Sequence, residues 1–222
     1  MARISLRKSV LLKIFPVLQL SILSSYFLII AIPQVTGTES FNPDSTEKHW
    51  VSKIFDDFTA ATDALQWSDV RVVSNWRIQQ HVQSEAYRLL DSDDHVVIEG
   101  TLKSCSAKFS ELMKAGCITP VEKEVVIVLH GLGEGRSAMK PLVVFLKENM
   151  TASILTFGYA SPRAGLASHA HALGRVLAGL PPTTAISFVG HSMGNLVVRR
   201  WLRDAQPDVV NRIDRMVMLG PP

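Results

Sequence analysis

Four short apolar runs in the second half of the chain constrain its fold more than any other feature: Val125 to Leu129, Ile154 to Phe157, Ala185 to Val189 and Met216 to Leu219. Each is nearly continuous in apolar residues, the pattern of strands covered on both faces, as parallel strands are. Between them the apolar residues recur at three- and four-residue steps: Met139, Leu142, Val143 and Leu146, then Leu166, Ala170, Leu173 and Leu177, then Leu196, Val197, Val198 and Trp201. That is the spacing of one helix face. Strand alternating with helix predicts an α/β domain, a mostly parallel sheet flanked by helices.

Residues 70–103 read as strands that precede this core. Trp76 and Ile78 alternate with polar neighbours, and Val96-Val97-Ile98 follows the turn-like Asp91-Ser92-Asp93-Asp94, as in a hairpin at a sheet edge. From Trp50 to Leu65, the residues Ile54, Phe55, Phe58, Ala61 and Leu65 predict a helix. Residues 38–48 are polar, include Pro43, and form a linker. With 47% of 222 residues apolar, residues 49–222 can bury a single core. There is no internal repeat or low-complexity tract.

At the N-terminus, Arg3, Arg7, Lys8 and Lys13 precede or enter an apolar stretch from Ile14 to Ile32, the layout of an export signal or a membrane anchor over residues 1–37. The apolar run is long enough to span a bilayer, although Pro16 and Gln19 interrupt its first part. Small residues in Val35-Thr36-Gly37 offer a cleavage point, which tips the balance slightly toward cleavage. The expectation is a protein exported to the periplasm or the exterior, or held at a membrane through residues 9–32.

Residues 1–37 also hold four basic and no acidic residues, so of the formal charge of +3 the remaining residues 38–222 carry a net −1. Nucleic acid therefore has no electrostatic support as a partner. Cys105 and Cys117 are the only cysteines. In an exported chain they fit a disulfide closing a short loop and two free thiols about equally, and their spacing has no metal-site signature.

The sharpest chemical signal is Gly190-His191-Ser192-Met193-Gly194, directly after one apolar run and directly before a helical pattern. A strand, a sharp turn and a helix lift the serine hydroxyl clear of the sheet edge, and the flanking glycines let strand and helix approach closely. The helix N-terminus and the next backbone N–H favour a developing negative charge. The pentapeptide alone is weakly specific, but a second element, His130-Gly131-Leu132-Gly133, stands at the end of the run Val125 to Leu129. A loop there supplies the other N–H of an oxyanion hole, so the backbone donors are expected at Leu132 and Met193. A phosphate-cradling turn is the rival reading of Ser192, and the chain has neither the Gly-x-Gly-x-x-Gly spacing nor a lysine-containing P-loop to support it.

Together with Leu219-Gly220-Pro221 after the last apolar run, these two segments resemble the lipase-like branch of the α/β-hydrolase superfamily, over about residues 123–222. The resemblance implies an α/β-hydrolase-type sheet and hydrolysis of a small-molecule or lipid carboxylic ester through an acyl-enzyme on Ser192. It implies no metal and no organic cofactor. Acyl transfer to an alcohol or lipid would use the same site.

The resemblance also implies an acid and then a histidine after the nucleophile. No histidine follows Ser192, and Asp204, Asp208 and Asp214 stand too close behind it to serve with assurance as the acid. His130 and His191 sit in backbone-shaping positions and are poor bases for Ser192. His169 and His171 are expected on a helix, facing solvent or capped, and point to different faces. Tyr159 either lines the pocket or packs. The chain is thus expected to be a hydrolase fold truncated after the strand that follows the nucleophile helix, or a short homologue that binds without catalysing. The stop at Gly220-Pro221-Pro222, which would leave an apolar strand edge bare, favours the first.

Overall fold

The computed structural model describes Asp63, residues 65–121 and residues 123–222. The predicted signal or anchor, the linker and all but the end of the helix expected from Trp50 to Leu65 lie outside these residues.

Four antiparallel strands come first, paired in chain order: β1 (Trp67–Val73), β2 (Trp76–His81), β3 (Tyr87–Leu90) and β4 (Val96–Gly100). The expected hairpin is therefore part of a four-stranded meander. Helix α1 (Leu102–Lys114) follows and packs on β3 and β4. The sequence reading missed this helix. It starts at a capping box in which Thr101 accepts from the Ser104 N–H and Ser104 accepts from the Thr101 N–H. Its Cys105 and Phe109 bury a turn apart in a small core with Val70, Ile78, Leu89 and Ile118. Cys105 is buried and Cys117 exposed, and both are free thiols, so the disulfide alternative does not hold.

The parallel sheet is built from β5 (Glu124–Leu129), β6 (Ser153–Phe157), β7 (Ala185–His191) and β8 (Ile213–Leu219), in the order β6-β5-β7-β8. Helices α2 (Lys140–Asn149), α3 (Leu166–Ala178), α4 (Met193–Asp204) and the single turn α5 (Pro207–Val210) occupy the crossovers. The protein is thus an α/β structure with a four-stranded parallel sheet flanked by helices. All of Val125 to Leu129 is buried, as a strand covered on both faces requires. Val125, Ile127 and Leu129 face a core shared with Leu173 and Leu177 of α3 and Val197, Val198 and Trp201 of α4. By contrast β8, paired on one side only, leaves Met218 half exposed.

The antiparallel and parallel sheets meet along β1. The Asp69 N–H donates to Gly158 O at 2.9 Å, and the Gly158 N–H returns a 2.7 Å bond to the Asp69 carboxylate. Asp69 is fully buried, and its carboxylate also accepts from Arg77 at 2.9 Å and Gln79 at 2.8 Å. Gln79 in turn accepts from Arg88, which reaches Asp63. A chain of charge-assisted bonds therefore satisfies polar groups that burial would otherwise penalise.

Candidate active site

Strand register brings the two glycine motifs together. Leu129 at the end of β5 pairs with Gly190 near the end of β7, so the chain leaves both strands at the same level, into His130-Gly131 on one side and His191-Ser192 on the other. The closeness shows at Gly131, where a Cβ would stand 3.3 Å from the Ser192 Cβ.

Ser192 has φ 47° and ψ −118°, a conformation that L-residues rarely adopt. The surrounding structure holds it there. Its N–H donates to Leu219 O at 2.9 Å, and its carbonyl accepts from the Asn195 N–H at 3.0 Å and from Asn195 Nδ2 at 3.1 Å. The two glycines of the pentapeptide are required by space. A Cβ on Gly190 would lie 2.5 Å from Asn195 Oδ1, and one on Gly194 would lie 2.8 Å from the Leu129 Cβ and 2.9 Å from His130 O. Ser192 is half-buried at the mouth of this turn, and its Oγ makes no hydrogen bond among the described residues.

The opposite loop is a tight turn in which the Glu134 N–H meets Gly131 O at 3.4 Å. Gly133 has φ 72°, the positive value a type II turn needs at its third residue. Its donors are nearly all spent: the Gly131 N–H on Glu134 Oε2 at 2.8 Å, the Gly133 N–H on Ser161 Oγ at 3.0 Å, and the Glu134 N–H on the turn itself. Among the described residues the Leu132 N–H has no acceptor within hydrogen-bond distance, and neither does that of Met193 at the start of α4. These are the two donors expected from the sequence. Leu132 leaves its side chain 61% exposed, so its place in the loop is not set by core packing.

The histidines take structural roles. His130 is buried, stacked on Tyr159 with ring centroids 4.2 Å apart. Its Nε2 accepts from the Tyr159 N–H at 3.4 Å, which leaves Nδ1 to donate to Gly131 O at 2.9 Å, so one neutral tautomer satisfies both contacts. Burial pushes this imidazole down to about 4. Tyr159 packs rather than lining an open pocket: its hydroxyl donates to His130 O at 2.5 Å, and burial holds the phenol well above its usual range. His169 is buried against Tyr159 rather than facing solvent; backbone groups at Ser161 and Ala164 hydrogen-bond its ring, which fits the capped alternative, and among the described residues its Nε2 has no partner. His171 on the same helix is exposed, as expected.

The sequence reading overlooked Glu134. Its Oε2 meets His191 Nδ1 at 3.1 Å while accepting from the Gly131 N–H. Burial raises this carboxyl, but the bonds from His191 and Gly131 outweigh that and hold it below the usual carboxylate range. The signal was available as a carboxylate three residues after the first glycine of the loop, the spacing at which a side chain folds back onto its own turn.

Other groups lie elsewhere. Asp91, Asp93 and His95 place donor atoms within 4.8 Å of one another on the exposed β3–β4 turn, where Asp91 Oδ1 accepts the Asp93 and His95 N–H groups. An open groove lined by Trp76, Cys117, Lys147 and Ile154 lies at the opposite end of β6 from the elbow. Among the described residues no helix is long and apolar enough to cross a membrane.

Comparison of the chain with protein-family models, with curated proteins and with solved structures finds no match.

Proposed function

We propose that the chain is a serine hydrolase of the lipase or esterase type on an α/β-hydrolase scaffold, cleaving a carboxylic ester through an acyl-enzyme on Ser192. One observation carries the proposal: the β5–β7 register sets a strained, half-buried serine against a turn in which, among the described residues, the N–H left without an acceptor belongs to Leu132. In this reading Ser192 Oγ attacks the ester carbonyl carbon and loses its proton to a base. The carbonyl oxygen, now negative, accepts from the Leu132 and Met193 N–H groups. Collapse expels the alcohol, and water then releases the acid. Residues 1–37 would export or anchor the protein, which suits a lipid or other extracytoplasmic ester.

Such a serine needs a base. No histidine ring comes within hydrogen-bond distance of Ser192 Oγ among the described residues, and His191 Nδ1 is engaged by Glu134. That observation favours a second reading, a hydrolase-like protein that binds an ester without turning it over. Exposure of the full chain to a fluorophosphonate separates the two. Covalent labelling that disappears in Ser192→Ala supports the hydrolase, whereas saturable ester binding with no label supports the binding protein. Product analysis with a competing alcohol then distinguishes hydrolysis from acyl transfer.

A further inference from the structure

We infer that Glu134 is a positioning residue that clasps the oxyanion turn to the nucleophile elbow, an inference that rests on the hydrolase reading of Ser192. One carboxylate oxygen bonds to both sides of the site: to the Gly131 N–H at 2.8 Å in the turn after β5, and to His191 Nδ1 at 3.1 Å in the residue preceding Ser192. Among the described residues no other side chain hydrogen-bonds to both loops.

The clasp has two effects. First, it occupies the Gly131 N–H. If that N–H were free, the turn could rotate its peptide units and offer Gly131 rather than Leu132 to the substrate. With Gly131 and Gly133 both bonded, the Leu132 N–H is the donor the turn has left. Second, it fixes the distance between the turn and the elbow. Gly131 has no side chain, and a Cβ there would meet His191 Nδ1 at 3.0 Å and Glu134 Oε2 at 3.1 Å, so the loops are in contact exactly where the carboxylate joins them. Glu134 itself is anchored by its backbone, the N–H on Gly131 O and the carbonyl accepting from Ser161 Oγ at 3.5 Å. Donors held in place before the reaction cost no reorganisation when the oxyanion forms, and misplacing one is felt in the rate.

The test is the rate of fluorophosphonate labelling at Ser192 in the full chain, resolved into its maximal rate and half-saturating concentration. Glu134→Ala is expected to lower the maximal rate about tenfold, with half-saturation and the fraction of chains labelled unchanged, less than the roughly hundred- to thousandfold cost of losing an oxyanion donor because the donor is loosened rather than removed. Glu134→Gln, which keeps an acceptor for the Gly131 N–H, is expected to recover most of that loss. His191→Ala is expected to slow labelling less, and the double variant Glu134→Ala/His191→Ala no more than Glu134→Ala alone, because both single changes remove one clasp. A Glu134→Ala chain that labels at the wild-type rate overturns the inference, as does a Gln variant as slow as Ala. Absence of label on the wild type overturns the hydrolase reading, and with it the positioning role. The clasp is then judged separately, by hydrogen exchange at the Gly131 amide: protection that is lost in Glu134→Ala sustains the tie, and an unprotected wild-type amide refutes it.

Discussion

A Cβ on Gly194 would stand 2.8 Å from the Cβ of Leu129, and the neighbouring atoms, Leu129 O and His130 O at 3.0 and 2.9 Å, are backbone that cannot swing away. The first turn of α4 therefore crosses the end of β5 at a separation only glycine permits. Gly194→Ala is expected to destabilise the domain by about 1–3 kcal/mol, the range for forcing a methyl into a filled site. Urea denaturation monitored by tryptophan fluorescence measures it.

Ser192 stores strain of its own. At φ 47° and ψ −118° a residue without a Cβ is at ease, whereas a serine pays on the order of 1–3 kcal/mol. Ser192→Gly is expected to raise stability by about 1 kcal/mol and to abolish covalent labelling. A variant that gains neither stability nor melting temperature would show that the elbow is not strained.

The Asp69 carboxylate tests what joins the two sheets. It is fully buried and accepts from Arg77, Gln79 and the Gly158 N–H. Asp69→Ala would strand the buried Arg77 guanidinium, already pushed below its usual range by burial, and is expected to cost about 3–5 kcal/mol. Asp63→Ala, at the half-exposed end of the same chain of bonds, is expected to cost about 1 kcal/mol or less. Paired denaturation curves decide between a graded network and an evenly shared one.

Acid sensitivity follows from His130. Burial lowers its pKa from 6.5 to about 4, so between those values the unfolded chain takes up a proton that the folded chain refuses. Stability attributable to this residue is complete above pH 6.5 and is lost progressively as pH falls toward 4, by about 3 kcal/mol at 1.36 kcal/mol per unit. His169, also lowered by burial, acts in the same direction. The depressed carboxyls of Glu134 and Asp91 lose their contributions lower down, as pH falls through and below the ordinary carboxylate range. Chemical denaturation at pH 7, 5.5 and 4.5 is expected to show falling stability in the wild type and a shallower fall in His130→Gln.

These features were unequally legible in the sequence. The parallel strands β5 to β7 and helices α2 to α4 announced themselves, because a strand buried on both faces must be apolar throughout and a flanking helix must carry an apolar stripe. Ser192, Leu132 and Met193 were legible as backbone positions in glycine motifs. The helix Leu102–Lys114 was not: its cap is a Thr and a Ser rather than an acidic box, and its buried face is little more than Cys105 and Phe109. Long-range pairings were equally hidden. That Leu129 lies beside Gly190, and that Glu134 reaches His191 fifty-seven residues away, depends on strand order and register, which local patterns do not encode.

In the proposed hydrolase, Ser192 is a nucleophile facing the N–H groups of Leu132 and Met193. A crystal structure of the full chain after reaction with a phosphonate ester tests it most directly. The expected result is a phosphonyl group bonded to Ser192 Oγ, with one oxygen within about 3 Å of both the Leu132 and Met193 nitrogens. No adduct on Ser192, or an adduct whose oxygens turn away from both nitrogens, would contradict it.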